Sequence, residues 1–129
     1  MEFCENGDLA SLLKKCKKDN DWVAEDVVWK IFMHIILGLK ECHNRKEGKI
    51  LHRDLKPGNV FLDAGNNVKL GDFGLSRLLN KESHYACTNV GTPYYMSPEQ
   101  IKEINYDEKS DIWSAGCILY EMVSLKPPF

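Results

Sequence analysis

The sequence has no large excess of charge of either sign: 17 Lys and Arg stand against 19 Asp and Glu, a formal net charge of -2. That balance excludes a general electrostatic pull toward nucleic acid or an anionic membrane, so any recognition of anions has to be local. Paired cysteines are also missing. Cys4, Cys16, Cys42, Cys87 and Cys117 are odd in number, scattered, and never spaced as Cys-x-x-Cys. This fits reduced intracellular thiols better than a disulfide framework or a zinc site. A cytoplasmic location is expected, with the nucleus or the cytoskeleton as alternatives. The most apolar stretch, 27–39, is too short to cross a bilayer and is interrupted by Lys30 and His34. The acidic start has no basic region followed by an apolar one, so it does not read as a secretory signal. There is no internal repeat, low-complexity tract or Pro/Ser-rich linker that would divide the chain.

What is present fits one globular domain or part of one: 129 residues, 43% hydrophobic and 28% charged. After the Asn6-Gly7 turn signal, 8–18 reads as a short helix with Leu9, Leu12 and Leu13 inward and its lysines outward. Over 24–43, Val28, Ile31, Phe32, Ile35, Leu39 and Cys42 recur at steps of three and four, the period of an amphipathic helix. A polar break at 44–49 leads into short extended pieces beginning at Ile50-Leu51. Val60-Phe61-Leu62 and Val68-Lys69-Leu70 flank a loop at 63–67 rich in residues that tolerate positive φ, which predicts a β-hairpin. Ser97-Pro98-Glu99-Gln100 combines a capping serine, a proline at the first helical position and a glutamine three residues after the cap, so a short helix starts there. The stretch 110–124 distributes apolar residues nearly all round, including Ile112, Trp113, Ile118 and Val123, which predicts a buried central helix.

The chemistry is concentrated between these elements. His52-Arg53-Asp54-Leu55-Lys56-Pro57-Gly58-Asn59, followed by Asp72-Phe73-Gly74, sets a carboxylate, an ammonium, an amide and a second carboxylate in order. A single metal–phosphate site would use all four. Moving a phosphoryl group needs hard oxygen ligands for Mg²⁺, a cation on the phosphate and an acceptor for the incoming hydroxyl's proton. Asn59 and Asp72 supply the oxygens, and the predicted hairpin would bring them together. Asp54 is then free to orient a hydroxyl.

HRDLKPGN, then DFG, then GTPYYMSPE, then DIWSAGC resemble, in order and approximate spacing, the signature of the eukaryotic protein kinases. The wording GDLASLL, LHRDLKPGNVFLD and GTPYYMSPEQ is similar to the NIMA-related (NEK) serine/threonine kinases across essentially the whole chain. The resemblance implies an α+β, protein-kinase-like fold, here 1–129 as a partial kinase domain running from the hinge through catalytic loop and activation segment to the central helix. That is a mainly helical C-terminal lobe without its N-terminal lobe. It implies ATP and Mg²⁺ as cofactors and protein substrates as partners, with no nucleic acid and no membrane. Any dimerisation falls to regions not present. Asp54 is implied as catalytic base, Lys56 as the cation on the transferring phosphate, and Asn59 and Asp72 as the Mg²⁺ ligands. Thr92 would bond Asp54 and Lys56 as part of the catalytic platform. Arg53 would pair with a phosphate on the activation segment, 75–96, and Thr88 is the expected phosphosite. Backbone groups of Glu2 and Cys4 would bond the adenine edge, with Met1 at the gatekeeper position. Asp8 lies near the ribose or simply caps the first helix. Phe61 is the floor under adenine or plain strand core. His52 and Phe73 would pack in the regulatory spine beside Gly74. Asp111 would accept backbone N–H bonds from the catalytic loop, favoured also by the helix dipole.

Such kinases carry a glycine-rich loop, a strand lysine and a helix glutamate ahead of the hinge, none of which is in this sequence. They also carry a later arginine that pairs with the glutamate at the place of Glu99. Glu99 is therefore expected to be unpaired and buried, and the 129-residue piece alone to be marginally stable and catalytically very poor. The alternative to a kinase is a truncated, pseudokinase-like binding or scaffold protein.

Overall fold

A computed structural model describes residues 4–46, 48–72, 77–78, 93–102 and 107–129. Asp8 accepts a hydrogen bond from the Ser11 N–H at 2.7 Å and so caps helix α1, Leu9–Asp19. Leu9 and Leu13 turn inward, one helical turn apart, while Lys17 and Lys18 sit in the last turn where the helix carbonyls favour positive charge. Asn20 ends the helix in the left-handed region, a conformation asparagine tolerates. Helix α2, Glu25–His43, opens with Glu25 and Asp26 and buries Val28, Ile31, Ile35 and Leu39 along one stripe. Phe32 and Cys42, which the same period places inward, are only half-buried.

The chain then runs through β1, Ile50–Leu51, and a single 3₁₀ turn, Pro57–Asn59, into β2, Val60–Leu62, and β3, Val68–Leu70. These last two strands form an antiparallel hairpin, with Val60 opposite Leu70 and Leu62 opposite Val68. Its loop closes on Asp63, whose Oδ1 accepts from the N–H groups of Gly65 and Asn67, while Asn66 takes a positive φ of 57°. The turn at 4–7 is stitched to this hairpin, because Asn6 N–H donates to the Leu62 carbonyl and Leu62 N–H to that of Gly7. A second small sheet pairs β1 antiparallel with β4, Arg77–Leu78.

Helix α3, Pro98–Ile101, carries both halves of a capping box between Ser97 and Gln100. Helix α4, Glu108–Ser124, starts two residues ahead of the expected position because Asp107 caps it, accepting from the Lys109 N–H at 2.8 Å. The core lies where α2 packs on α4, with α1 and β2 closing one end: Ile31, Ile35, Leu39, Val60, Ile118 and Met122 are all fully buried. The expectation of a helix buried all round needs correction. Ala115, Cys117, Ile118 and Met122 are buried, whereas Ile112, Trp113, Tyr120 and Val123 are exposed, and Trp113 stacks on the terminal Phe129 at 5.8 Å. Apolar content alone does not tell which face a neighbour covers. No helix among the described residues is long and apolar enough to cross a membrane.

One imidazole is set into this architecture. His52, fully buried, joins three elements: its backbone N–H donates to Asp111 Oδ2 on α4 at 3.0 Å, and its ring Nε2 donates to the carbonyl of Gly71, just past β3, at 3.1 Å. Loss of water holds its pKa below the ordinary histidine value, against the opposing pull of Asp111, the Gly71 carbonyl, Asp54 and Asp72.

Two outcomes follow from this packing. Replacing Ile118 by Ala removes a branched side chain from a site with no exposed surface, and urea unfolding should show a loss of about 2–5 kcal/mol. His52 binds its proton less readily folded than unfolded. Its contribution is therefore intact above about pH 6.5, is lost as pH falls through the folded-state pKa, and is constant below it. Melting curves between pH 5 and 7.5 should show a weaker pH dependence for His52→Phe than for the parent protein. Identical slopes would mean that His52 does not titrate as described.

Candidate active site

The segment 52–59 has few backbone bonds of regular structure to shape it, and α4 does much of that work. Asp111, in the first turn of α4 and 2% exposed, accepts from the His52 N–H on Oδ2 and from the Arg53 N–H on Oδ1, each at 3.0 Å. His43, in the last turn of α2, donates from Nε2 to the same Oδ2 at 2.8 Å. A buried carboxylate with three donors is well compensated for its lost water. The bonds also hold Arg53 at φ 72°, a left-handed conformation that a residue with a Cβ ordinarily avoids.

From this strained residue the chain turns directly into Asp54. Its Oδ2 accepts from Lys56 Nζ at 2.7 Å and from Asn59 Nδ2 at 3.1 Å, and neither donor touches Oδ1. Asn59 Nδ2 also donates to the Asp54 backbone carbonyl at 2.8 Å, closing the loop on itself. Pro57 opens the intervening 3₁₀ turn, and the Asn59 N–H completes it on the Lys56 carbonyl. Carboxylate, ammonium and amide are thus gathered within six residues. Asp54 and Lys56 remain part-exposed, at 25% and 44% of their side-chain surface, so the cluster opens to solvent.

The hairpin returns the backbone that carries the second acidic residue to the same place. Its ladder continues one step past Val60 and Leu70, where the Gly71 N–H donates to the Asn59 carbonyl at 3.0 Å, so Asp72 follows directly beside Asn59. Asp72 is exposed and, at φ 56°, is the second strained residue of the site. Phe61 is half-buried, and its ring lies on Gly71: a Cβ at that glycine would sit 2.5 Å from Phe61 Cε2. The ring therefore packs against the backbone that leads into Asp72. Asp8 bridges to Phe61 across the sheet edge while its carboxylate caps α1. Cys4 accepts at its carbonyl from the Gly7 N–H at 3.1 Å, in the turn fastened to β2.

The expectation for Glu99 needs correction in part. Among the described residues no cation pairs with its carboxylate, but the group is neither buried nor without a donor: it accepts from Ser110 Oγ at 2.8 Å and is partly exposed. Its pKa is lowered by its own backbone N–H and then by the hydroxyls of Ser110 and Ser97, against some desolvation. Ser97 Oγ in turn donates to Ser110 Oγ at 3.0 Å, inside the protein. Two residues that sequence reasoning passed over take part here. His43 reads only as the last residue of an amphipathic helix, and Ser110 as a helix start. Their partners lie 68 and 11 positions away in the chain, respectively, and no local pattern announces them. Glu2, Phe73, Gly74, Thr88 and Thr92, with Met1, lie outside the described residues.

Comparison with known proteins gives the same picture from another direction. The family model "Protein kinase domain" matches residues 1–129. The chain is similar to the "Probable serine/threonine-protein kinase nek2" of Dictyostelium discoideum, 58% identical over the whole chain and 31% of that protein. It is similar to "Serine/threonine-protein kinase Nek2" of Homo sapiens, 57% identical over the whole chain and 29% of that protein. It is also similar to "G2-specific protein kinase nimA" of Emericella nidulans, 42% identical over the whole chain and 22% of that protein. The chain thus spans about a third or less of the length of the curated relatives it matches. With the family model covering every residue and these identities holding from end to end, the chain belongs to the protein kinase family, in its NIMA-related branch.

Proposed function

We propose that the full protein containing this chain transfers the terminal phosphoryl group of ATP to serine and threonine hydroxyls of proteins. One observation carries the reading. Lys56 and Asn59 both bond Oδ2 of Asp54, which leaves the other carboxylate oxygen available to an incoming hydroxyl. Asp54 then accepts the hydroxyl proton as the hydroxyl oxygen forms its bond to phosphorus and the bond to the ADP oxygen breaks. Lys56, two residues on, brings its ammonium to the transferred group and reads as a serine/threonine rather than a tyrosine pattern.

The donor set fits Mg²⁺. Asn59 commits its amide nitrogen to Asp54, so the group it offers a cation is Oδ1, and Asp72 adds a carboxylate one step beyond the hairpin. Among the described residues no three His, Cys, Asp or Glu side chains gather into a metal cluster. Two protein oxygens, completed by phosphate and water, are what a Mg²⁺ that travels with a nucleotide requires. When bound, the ion neutralises charge on the phosphate oxygens. Phe61, whose ring lies against Gly71, supplies an apolar surface for the adenine, and the Cys4 backbone is the proposed partner of the adenine edge. Arg53 is the proposed partner of a phosphate on the activation segment, with Thr88 as its site, and Thr92 the proposed partner of Asp54.

The test is direct. The full-length protein with Mg²⁺ and γ-labelled ATP should label Ser/Thr peptides and leave tyrosine peptides unlabelled, and EDTA should abolish the transfer. Asp54→Asn should lower kcat about 10²–10⁴-fold, while nucleotide binding persists. A full-length protein that folds, binds Mg-ATP and labels no Ser/Thr substrate would refute the reading.

A further inference from the structure

Gln100 stands one residue beyond the Ser-Pro-Glu stretch, and the sequence explains it fully as the second half of a capping box. The structure gives its side chain a second employment. Gln100 Oε1 accepts from the Ser97 N–H at 3.0 Å, as the box requires. Its Nε2 points the other way and donates to the backbone carbonyl of Arg53 at 3.3 Å, 47 positions earlier in the chain.

Arg53 is the residue at φ 72° immediately before Asp54. Its N–H is held by Asp111 Oδ1 at 3.0 Å and its carbonyl by Gln100. The two polar groups on either side of the strained Cα are thus gripped from the starts of two different helices. The Asp111 bonds fix one end of this residue. The Gln100 bond fixes the peptide plane that joins Arg53 to Asp54, and so the angle at which the Asp54 side chain leaves the chain. The short helix α3 is itself anchored: Ser97 Oγ bonds Ser110 Oγ at 3.0 Å, and Ser110 Oγ bonds Glu99 at 2.8 Å. A shift of the segment around Ser97 therefore moves the Gln100 amide against the catalytic loop.

We propose that Gln100 is a positioning residue for phosphoryl transfer: its side-chain amide ties the segment entering α3 to the Arg53 carbonyl and sets the orientation of Asp54. The inference rests on the function proposed above. It concerns only the chemical step, since Gln100 reaches neither Phe61 nor the turn at Cys4, where the nucleotide base is placed.

The two jobs of the side chain can be separated by one isosteric change. In Gln100→Glu the carboxylate still accepts from the Ser97 N–H, and glutamate is as good a capping-box residue as glutamine. It has no N–H to give the Arg53 carbonyl and sets an anionic oxygen against it. In the full-length protein, Gln100→Glu should melt within a few degrees of the parent, the cost of the one lost bond. Its kcat should fall about two- to thirteenfold, the worth of one such bond, with KM for ATP within about twofold. Amide hydrogen exchange at 53–55 should be faster in the variant, a readout that needs no activity. Gln100→Met, which loses both bonds, should lower the melting temperature as well. Unchanged kcat and exchange in Gln100→Glu would overturn the proposal, and so would a drop in melting temperature large enough to account for the lost activity. If the parent protein transfers no phosphate at all, the function proposed above fails, while the exchange comparison still decides whether the tether exists.

Discussion

A loop of eight residues cannot hold a carboxylate, an ammonium and an amide at hydrogen-bond distance unless something outside it fixes the backbone. Here that constraint is the buried carboxylate of Asp111. It offers two oxygens to two successive N–H groups, those of His52 and Arg53, and takes a third donor from His43. Burying a carboxylate is costly unless donors replace its water, and leaving two adjacent N–H groups unbonded inside the protein would also be costly. Each group needs the other, so the start of α4 and the loop are locked together, and the left-handed Arg53 is supported by its surroundings rather than by local preference.

The second half of the site depends on a spacer. The hairpin of β2 and β3 lets the chain leave at Asn59 and return at Gly71 with the ladder intact, so that Asp72 follows beside the amide. A side chain at Gly71 would collide with the Phe61 ring, whereas glycine lets the ring lie on the backbone next to the second strained residue. Buried His52 spans both halves, bonding Asp111 through its backbone and Gly71 through its ring. The site is therefore two strained turns pinned to a common helix and a common hairpin.

Much of this was legible in the chain, because the relevant signals are local. The period of α2, the turn residues at 63–67, the Ser97–Gln100 box and the order of the four motifs all depend on residues a few positions apart. Asp8 shows the limit of such signals: its role as cap of α1 is visible in the structure, while a role near a ribose is a matter of function. What was not legible is long-range. The pairing of β1 with β4 joins two-residue strands far apart in sequence, too short to carry a pattern. The Ser110 hydroxyl that partners Glu99 comes from a different helix, so the glutamate read alone looked orphaned. The apolar residues of α4 announced burial, yet which of them face α2 is settled by the packing partner and not by their own periodicity.

The most direct test of this account replaces Asp111 by Asn in the full-length protein and measures phosphoryl transfer alongside the fold. Asparagine keeps one acceptor oxygen and turns an N–H toward the second backbone N–H. The account predicts retained helical circular dichroism and retained Mg-ATP binding with kcat lowered about ten- to hundredfold, the worth of a hydrogen bond to a charged acceptor. A variant that folds, binds nucleotide and transfers phosphate at the parent rate would contradict it.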